Sequence, residues 1–366
     1  HGDIKPENLM IGEYTDTQCV KIGDFGVSFF LNSETSPNND GKIGRAQGTP
    51  AFTAPECGGD NKYFDANPTD IWSLGVTLYM MITGICPFVG NNIFNTYQKI
   101  QTYDPPIPND IDKDMRDFLV NILQKDPKKR LSINDMKIHP WITKKNKEPL
   151  KQYNDELNNE IKLNQNDIEY ALNLTNESRN KLMNKNNNNN NDSNNNGNKS
   201  PSIKETNITK RTKIGKKVYI NEYLCYGYLG SGAFGQVLLA KNIKTDMKVA
   251  IKILNKSLLR KKRIFRKGKK PTNMLENIFR EIAIMKKLNH PNVVKLYEVI
   301  DDPNNEKLYL VIEYCQHGSI LGKGGTEQKC EPMNDHELIR QYMRQCILGL
   351  EYLHKNKVIH GDIKPE

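Results

Sequence analysis

The hydrophobic and polar positions divide this chain into three unlike stretches. Apolar clusters recur at short intervals from residue 8 to about 141, thin out from 146 to 216, and return in a strand-like pattern from 217. In the first stretch, Asn8-Leu9-Met10-Ile11 and Cys19-Val20-Lys21-Ile22 are apolar runs separated by a polar turn, which predicts a hairpin. Residues 32–48 are polar and rich in Asn, Ser and Gly, and read as a loop. Residues 70–82 are apolar almost throughout, which predicts a buried helix, and Thr83-Gly84 is a good stop signal. Shorter amphipathic helices are predicted over 92–101, 111–124 and 132–137. His139-Pro140-Trp141 closes the pattern near residue 145.

Residues 146–183 form a charged, Asn-rich tail with one candidate regulatory helix over 164–173. Residues 184–216 contain the run Asn186 to Asn191 and read as a disordered linker, because such a tract buries too little apolar surface to order itself. Strands are predicted at 226–229, 237–240 and 248–254, a helix at 278–288, strands at 293–300 and 308–313, and a long helix at 337–354. Five strands with one helix, followed by a helical part, predict an α+β protein with a small β-rich lobe and a large α-rich lobe. The α-rich part, 1–145, comes first in the chain, and 217–366 carries the β-rich part.

Composition narrows the picture only slightly. At 366 residues the chain can bury one large core or two smaller ones. Its formal net charge of +10 permits acidic partners. No nucleic-acid motif accompanies that charge, so no nucleic-acid partner is expected. No apolar run approaches the length of a bilayer span, so no membrane partner is expected either. Cys19, Cys57, Cys86, Cys225, Cys315, Cys330 and Cys346 are scattered without a CxxC pair. With no visible secretory signal, they suggest a reducing, cytoplasmic location.

The chemistry sits in motifs. Gly230-Ser231-Gly232-Ala233-Phe234-Gly235-Gln236-Val237 joins the first two predicted strands of the β-rich part, and glycines let backbone amides approach phosphates. Lys252, in Val249-Ala250-Ile251-Lys252, can neutralise phosphate oxygens, with Glu281 on the following helix to hold it. His1-Gly2-Asp3-Ile4-Lys5-Pro6-Glu7-Asn8 supplies a candidate base, Asp3, and a candidate phosphoryl-stabilising Lys5. Asn8, with Asp24 of Asp24-Phe25-Gly26, forms a candidate magnesium pair. The first seven of these residues recur as His360 to Glu366, which adds Asp362 and Lys364 as second candidates. Ala54-Pro55-Glu56 completes the set. The implied cofactors are ATP and Mg2+.

These motifs together resemble a eukaryotic serine/threonine protein kinase domain. The stretch from Glu281 to Leu296, with Asp301-Asp302-Pro303-Asn304, Gly48 to Glu56, Gly75 to Tyr79 and Cys86-Pro87-Phe88, is most similar to the calcium/calmodulin-dependent protein kinase kinase group. The resemblance covers roughly 1–145 and 220–366. It implies a bilobal kinase-like fold in circularly permuted order, with the small lobe, hinge and first large-lobe helix all in 217–366. It implies that Leu229, Val237 and Ala250 sandwich adenine, with Ile312 as gatekeeper and Glu313 and Cys315 offering hinge hydrogen bonds. Glu56 would pair with Arg130, and Thr49 would contact the catalytic Asp and Lys. The expected partner is a protein substrate, including another kinase, and the basic insert over 256–270 is read equally as a docking site and as a solvated loop. A catalytically inactive fragment or pseudokinase-like binding module is the second reading.

Two departures from the family pattern carry expectations. Gly2 and Gly361 replace the Arg usual before the catalytic Asp, the residue that commonly pairs with an activation-loop phosphate. Substituting Ser33, Thr35 or Ser36 is therefore expected to leave activity within about twofold in a phosphotransfer assay. No basic amphipathic helix follows residue 145, and 199–217 is basic without anchors at helical spacing, so calmodulin binding lacks a motif. Three origins account for the reversed order: a circular permutant closed through 146–216, adjoining pieces of two tandem kinases, or a circularised stretch of one coding sequence read across its junction. The third explains the repeated heptapeptide best.

Overall fold

The computed structural model describes residues 4–14, 17–23, 28–30, 42–43, 49–58, 64–150, 203–215, 217–232, 235–264, 272–320, 322, 329–356 and 358–360. They divide into two compact units. Unit 1 takes the described residues within 1–162, 289–294 and 315–366, and unit 2 those within 163–288 and 295–314. Unit 1 opens with an antiparallel hairpin of β1 (Leu9–Tyr14) and β2 (Thr17–Ile22), in which Leu9 faces Ile22. Short strands β3 (Ser28–Phe30), β4 (Lys42–Ile43) and β5 (Phe64–Asp65) follow.

Helix α1 (Ala66–Thr83) is buried on nearly every side, as its unbroken apolar sequence predicts. It begins four residues before the predicted start, because Pro68 sits in the first turn, where its missing N–H costs nothing. It ends at Gly84, whose φ is 75° and whose N–H donates to the Met80 carbonyl at 2.8 Å. A Cβ at Gly84 would lie 2.6 Å from the Cys330 carbonyl oxygen, so glycine is required there. Helices α2 (Ile93–Thr102), α3 (Lys113–Ile122), α4 (Ile133–Ile138) and α5 (Pro140–Thr143) complete this part of the unit. Asn92 and Asp112 cap α2 and α3, and Ser132 with Asp135 forms a capping box on α4.

Unit 2 is an eight-stranded sheet. Its strands are β6 (Lys204–Thr206), β7 (Arg211–Ile214), β8 (Lys217–Ile220), β9 (Tyr223–Gly232), β10 (Gly235–Asn242), β11 (Lys248–Asn255), β14 (Leu296–Asp301) and β15 (Lys307–Glu313). The spatial order is β6-β14-β15-β11-β10-β9-β8-β7, antiparallel except for the parallel β6–β14 pair. Between β11 and β14 lie α6 (Lys256–Lys261), the two-stranded β12 (Arg263–Ile264) and β13 (Thr272–Asn273), and α7 (Met274–Met285). One sheet face is an apolar core of Ile220, Tyr223, Ala240, Val249, Ile251, Ile253, Ile300, Tyr309 and Val311.

The chain then returns to unit 1 with α8 (His336–Lys355) and β16 (Val358–His360). Helix α8 buries Ile339, Met343, Cys346, Ile347, Leu350 and Leu353 and packs against α1, α4, α5 and β2. Strand β16 pairs with β3, with His360 opposite Ser28. Among the described residues, no helix is long and apolar enough to cross a membrane.

Two expectations are corrected. The run 293–300 is not one strand. The backbones of Asn292 and Val294 bond to Ile22 in unit 1, and only Leu296–Asp301 enters the sheet of unit 2. The linker predicted over 184–216 ends earlier than expected, since 204–206 and 211–214 are strands of the sheet. Apart from the exposed Ile214 their side chains are polar, and most are exposed, so ladder hydrogen bonds rather than apolar burial define them. The helix predicted at 164–173 lies outside the described residues.

Candidate active site

In unit 1 the site is built on a single tight turn. Lys5 is extended, and Pro6–Asn8 then forms a 3-10 turn in which the Asn8 N–H donates to the Lys5 carbonyl at 3.0 Å. Proline at the first position presets that turn. The Lys5 ammonium donates to the Thr49 hydroxyl at 2.9 Å. Thr49 is itself fixed from below. Its carbonyl accepts from the Phe52 N–H at 3.0 Å, and the Phe52 carbonyl accepts from the Ser73 hydroxyl on α1 at 2.8 Å. The contact expected of Thr49 with Lys5 is thus present, and a chain of hydrogen bonds ties it to the most buried helix.

Asn8 is buried, and its carbonyl accepts from the Gly23 N–H at 2.9 Å. The β1–β2 register therefore brings Asn8 against the residue that precedes Asp24. Asp3, Asp24, Asp362 and Lys364 lie outside the described residues. Cys315 is buried in unit 1, and its carbonyl accepts from the Gly318 N–H at 3.2 Å.

In unit 2 the strand register sorts the candidates by face. Val237 pairs with Lys252, and Lys252 with Leu310; Ala250 pairs with Leu239 and with Ile312. Directly opposed residues share a face, so Val237, Ala250, Lys252 and Ile312 all point away from the apolar core on the other side. Lys252 lies 3.9 Å from Glu281, whose side chain is only 3% exposed on α7. The glycine-rich segment is the β9–β10 hairpin itself, with Gly230 opposite Val237 and Gly232 opposite Gly235. Ala233 and Phe234, at its tip, lie outside the described residues. A Cβ on Gly230 would meet nothing within 4 Å, whereas one on Gly235 would strike the Ile253 carbonyl at 1.8 Å. Gly235 thus lets β10 approach β11, and Gly230 leaves the backbone open, as a phosphate cradle needs. Leu229 is exposed and Gln236 half-buried. Glu313 is pinned at the end of β15, its N–H donating to the Lys295 carbonyl at 2.9 Å.

Two structural ties support unit 1. Arg130 and Glu56 make the expected pair through two hydrogen bonds, of 2.7 and 2.9 Å. The second tie was not anticipated from sequence. His354 Nε2 lies 2.9 Å from an Asp70 carboxylate oxygen, and both side chains are buried. Burial pushes the His354 imidazole below its ordinary range, against the pull of Asp70. This contact joins the second turn of α1 to the last turn of α8, six residues before the second heptapeptide. The available signal was a histidine four residues after Leu350, on the apolar face of α8.

The protein kinase domain family model matches residues 1–142 and 223–366. The chain belongs to the protein kinase domain family. Its two matched segments carry the α-rich and β-rich elements in permuted order, as the motifs predicted. It is similar to a probable serine/threonine-protein kinase of Dictyostelium discoideum, 47% identical over 157 residues, covering 43% of this chain and 21% of that protein. Against the serine/threonine-protein kinase GRIK1 of Arabidopsis thaliana it is 43% identical over 143 residues, 39% of this chain and 34% of that one. A calcium/calmodulin-dependent protein kinase kinase of Caenorhabditis elegans is 40% identical over 160 residues, 40% of this chain and 29% of that one. The chain thus spans between a fifth and about a third of the length of these relatives.

Proposed function

We propose that this kinase domain transfers the γ-phosphoryl group of ATP, with Mg2+, to serine or threonine hydroxyls of a protein substrate in the cytoplasm. The observation that carries this reading is the Lys252–Glu281 pair, on the sheet face that also presents Val237 and Ala250 beside an open glycine hairpin. A buried carboxylate that holds a partly exposed lysine aims a positive charge where phosphate oxygens would lie. Leu229, Val237 and Ala250 would pack on adenine, Ile312 would limit the depth of its site, and Glu313 and Cys315 would offer it backbone hydrogen bonds. The hairpin from Gly230 through Gln236 would cover the phosphates. ATP supplies the activated phosphoryl group, and Mg2+ neutralises its charge. Asn8 and Asp24 would hold the metal. Asp3 orients the substrate hydroxyl and takes its proton, and Lys5, steadied by Thr49, offsets charge on the transferring group.

A role upstream of other kinases is part of the proposal. It draws on the name of the Caenorhabditis elegans relative and on the basic insert. Two of that insert's cations are committed internally. Lys256 is buried 3.0 Å from Asp301, and Arg260 lies 3.0 Å from Glu306.

The test is transfer of labelled phosphate from ATP·Mg2+ to a generic protein substrate by the whole chain. Lys252→Met is expected to lower kcat/KM by about a hundredfold, as for loss of one aimed electrostatic group. Absence of ATP·Mg2+ binding and of transfer by the unmutated chain would favour the pseudokinase reading instead.

A further inference from the structure

The family match resumes at residue 223, yet the sheet of unit 2 recruits a strand from well before it. Strand β6 adds in parallel to β14, with Lys204 opposite Glu298, Glu205 opposite Val299 and Thr206 opposite Ile300. Without β6, β14 would be an open sheet edge. No apolar side chain anchors β6. Alternation along the strand sends its side chains to two different polar sites. On one face, Lys204 Nζ reaches Glu298 at 3.2 Å and Glu222 at 2.9 Å, and the Thr206 hydroxyl donates to Glu298. Glu298 is 1% exposed, and Tyr223 donates to it at 2.6 Å. On the other face, Glu205 takes Lys286 at 2.5 Å.

Lys286 is the C-cap of α7, and its N–H closes the last turn on Ile282 at 2.9 Å. Glu281 immediately precedes Ile282, the residue on which that turn closes. A cation at a helix C-terminus already favours the helix, and Glu205 holds that cation against the sheet. Glu298 locks the register that puts Glu205 in reach.

We propose that Glu205 is a positioning residue for Glu281, and that β6 couples the chain connecting the two halves of the kinase to the helix carrying this carboxylate. The catalytic consequence rests on the kinase reading above; the physical coupling does not.

Charge reversal in the full chain tests it. Glu205→Lys is expected to speed amide hydrogen exchange over 278–286 by about fivefold, the upper range for a half-exposed pair. Exchange at Ile251 and Tyr309, in the sheet core, stays unchanged. Glu205→Lys/Lys286→Glu restores the pair with its charges exchanged and is expected to return 278–286 to its original rate. Phosphoryl transfer should fall and recover in parallel. Unchanged exchange over 278–286 in Glu205→Lys overturns the proposal, as does failure of the double variant to restore it. An equal rise in the sheet core overturns it too, because that marks general loosening rather than positioning. If exchange behaves as expected while even the unmutated chain transfers no phosphate, the coupling stands and the kinase reading fails.

Discussion

Asp3→Ala is expected to lower kcat/KM for phosphoryl transfer by about a thousandfold, within the range ascribed to a positioned general base. Asp362→Ala is expected to change it by no more than about twofold. The two aspartates occupy identical heptapeptides, so sequence identity alone cannot separate them. Their surroundings do. The first copy runs on into Asn8, its Lys5 is bonded to Thr49, and the Asn8 carbonyl holds Gly23 next to Asp24. These are the neighbours that phosphoryl transfer needs around a base: a cation for the transferring group and ligands for the metal. The second copy is reached through β16, which pairs with β3 as far as His360. Initial rates with ATP, Mg2+ and a protein substrate, measured for both variants and the unmutated chain, decide the assignment. A loss confined to Asp362→Ala reverses it, and equal losses mean that each copy serves.

The contrast between these copies also shows what the sequence could and could not convey. Chemistry that is local in the chain was legible: Gly230 to Val237, Lys252, Lys5 and Asn8 stand in short motifs whose spacing survives any rearrangement of chain order. Helix α1 was legible from its unbroken apolar run, β9 to β11 from short apolar runs, and α8 from an apolar face that repeats within a few residues. The misses have a different physical origin. Residues 293–300 read as one apolar strand because apolar patterning reports burial, not which unit does the burying; Val293 pairs with Ile22, whereas Leu296 pairs with Ile312. Strand β6 was hidden because Lys204-Glu205-Thr206 has no apolar alternation and exists only as a partner to β14. The Asp70–His354 contact joins residues 284 positions apart, brought together by helix packing alone.

Arg130→Met is expected to destabilise unit 1 by about 3–5 kcal/mol, the range for breaking one side of a buried ion pair. The Arg130 side chain is 0% exposed and that of Glu56 8%. Every guanidinium N–H direction is used: Nε donates to the Gln124 carbonyl, Nη1 to Glu56 and the Pro68 carbonyl, and Nη2 to Glu56 and the Lys125 carbonyl. The guanidinium also lies 5.1 Å from the centroid of the Trp72 ring. Removing it leaves a buried carboxylate and three carbonyls without their donor. Glu56→Gln keeps the shape and all three carbonyl contacts, so a smaller loss of about 1–3 kcal/mol is expected. The double variant should lose less than the sum, because each single change already breaks the same pair. The readout is built in: the chain has 2 tryptophans, Trp72 and Trp141, and both are buried in unit 1. Urea unfolding followed by their fluorescence therefore reports this unit, and the midpoint shift at constant slope gives the difference. A loss below about 1 kcal/mol for Arg130→Met would place the pair among surface ion pairs. The consequence reaches the chemistry because Glu56 closes the segment that begins at Thr49. Loosening that segment frees the hydroxyl that holds Lys5, so kcat is expected to fall in Arg130→Met even at temperatures where the unit remains folded.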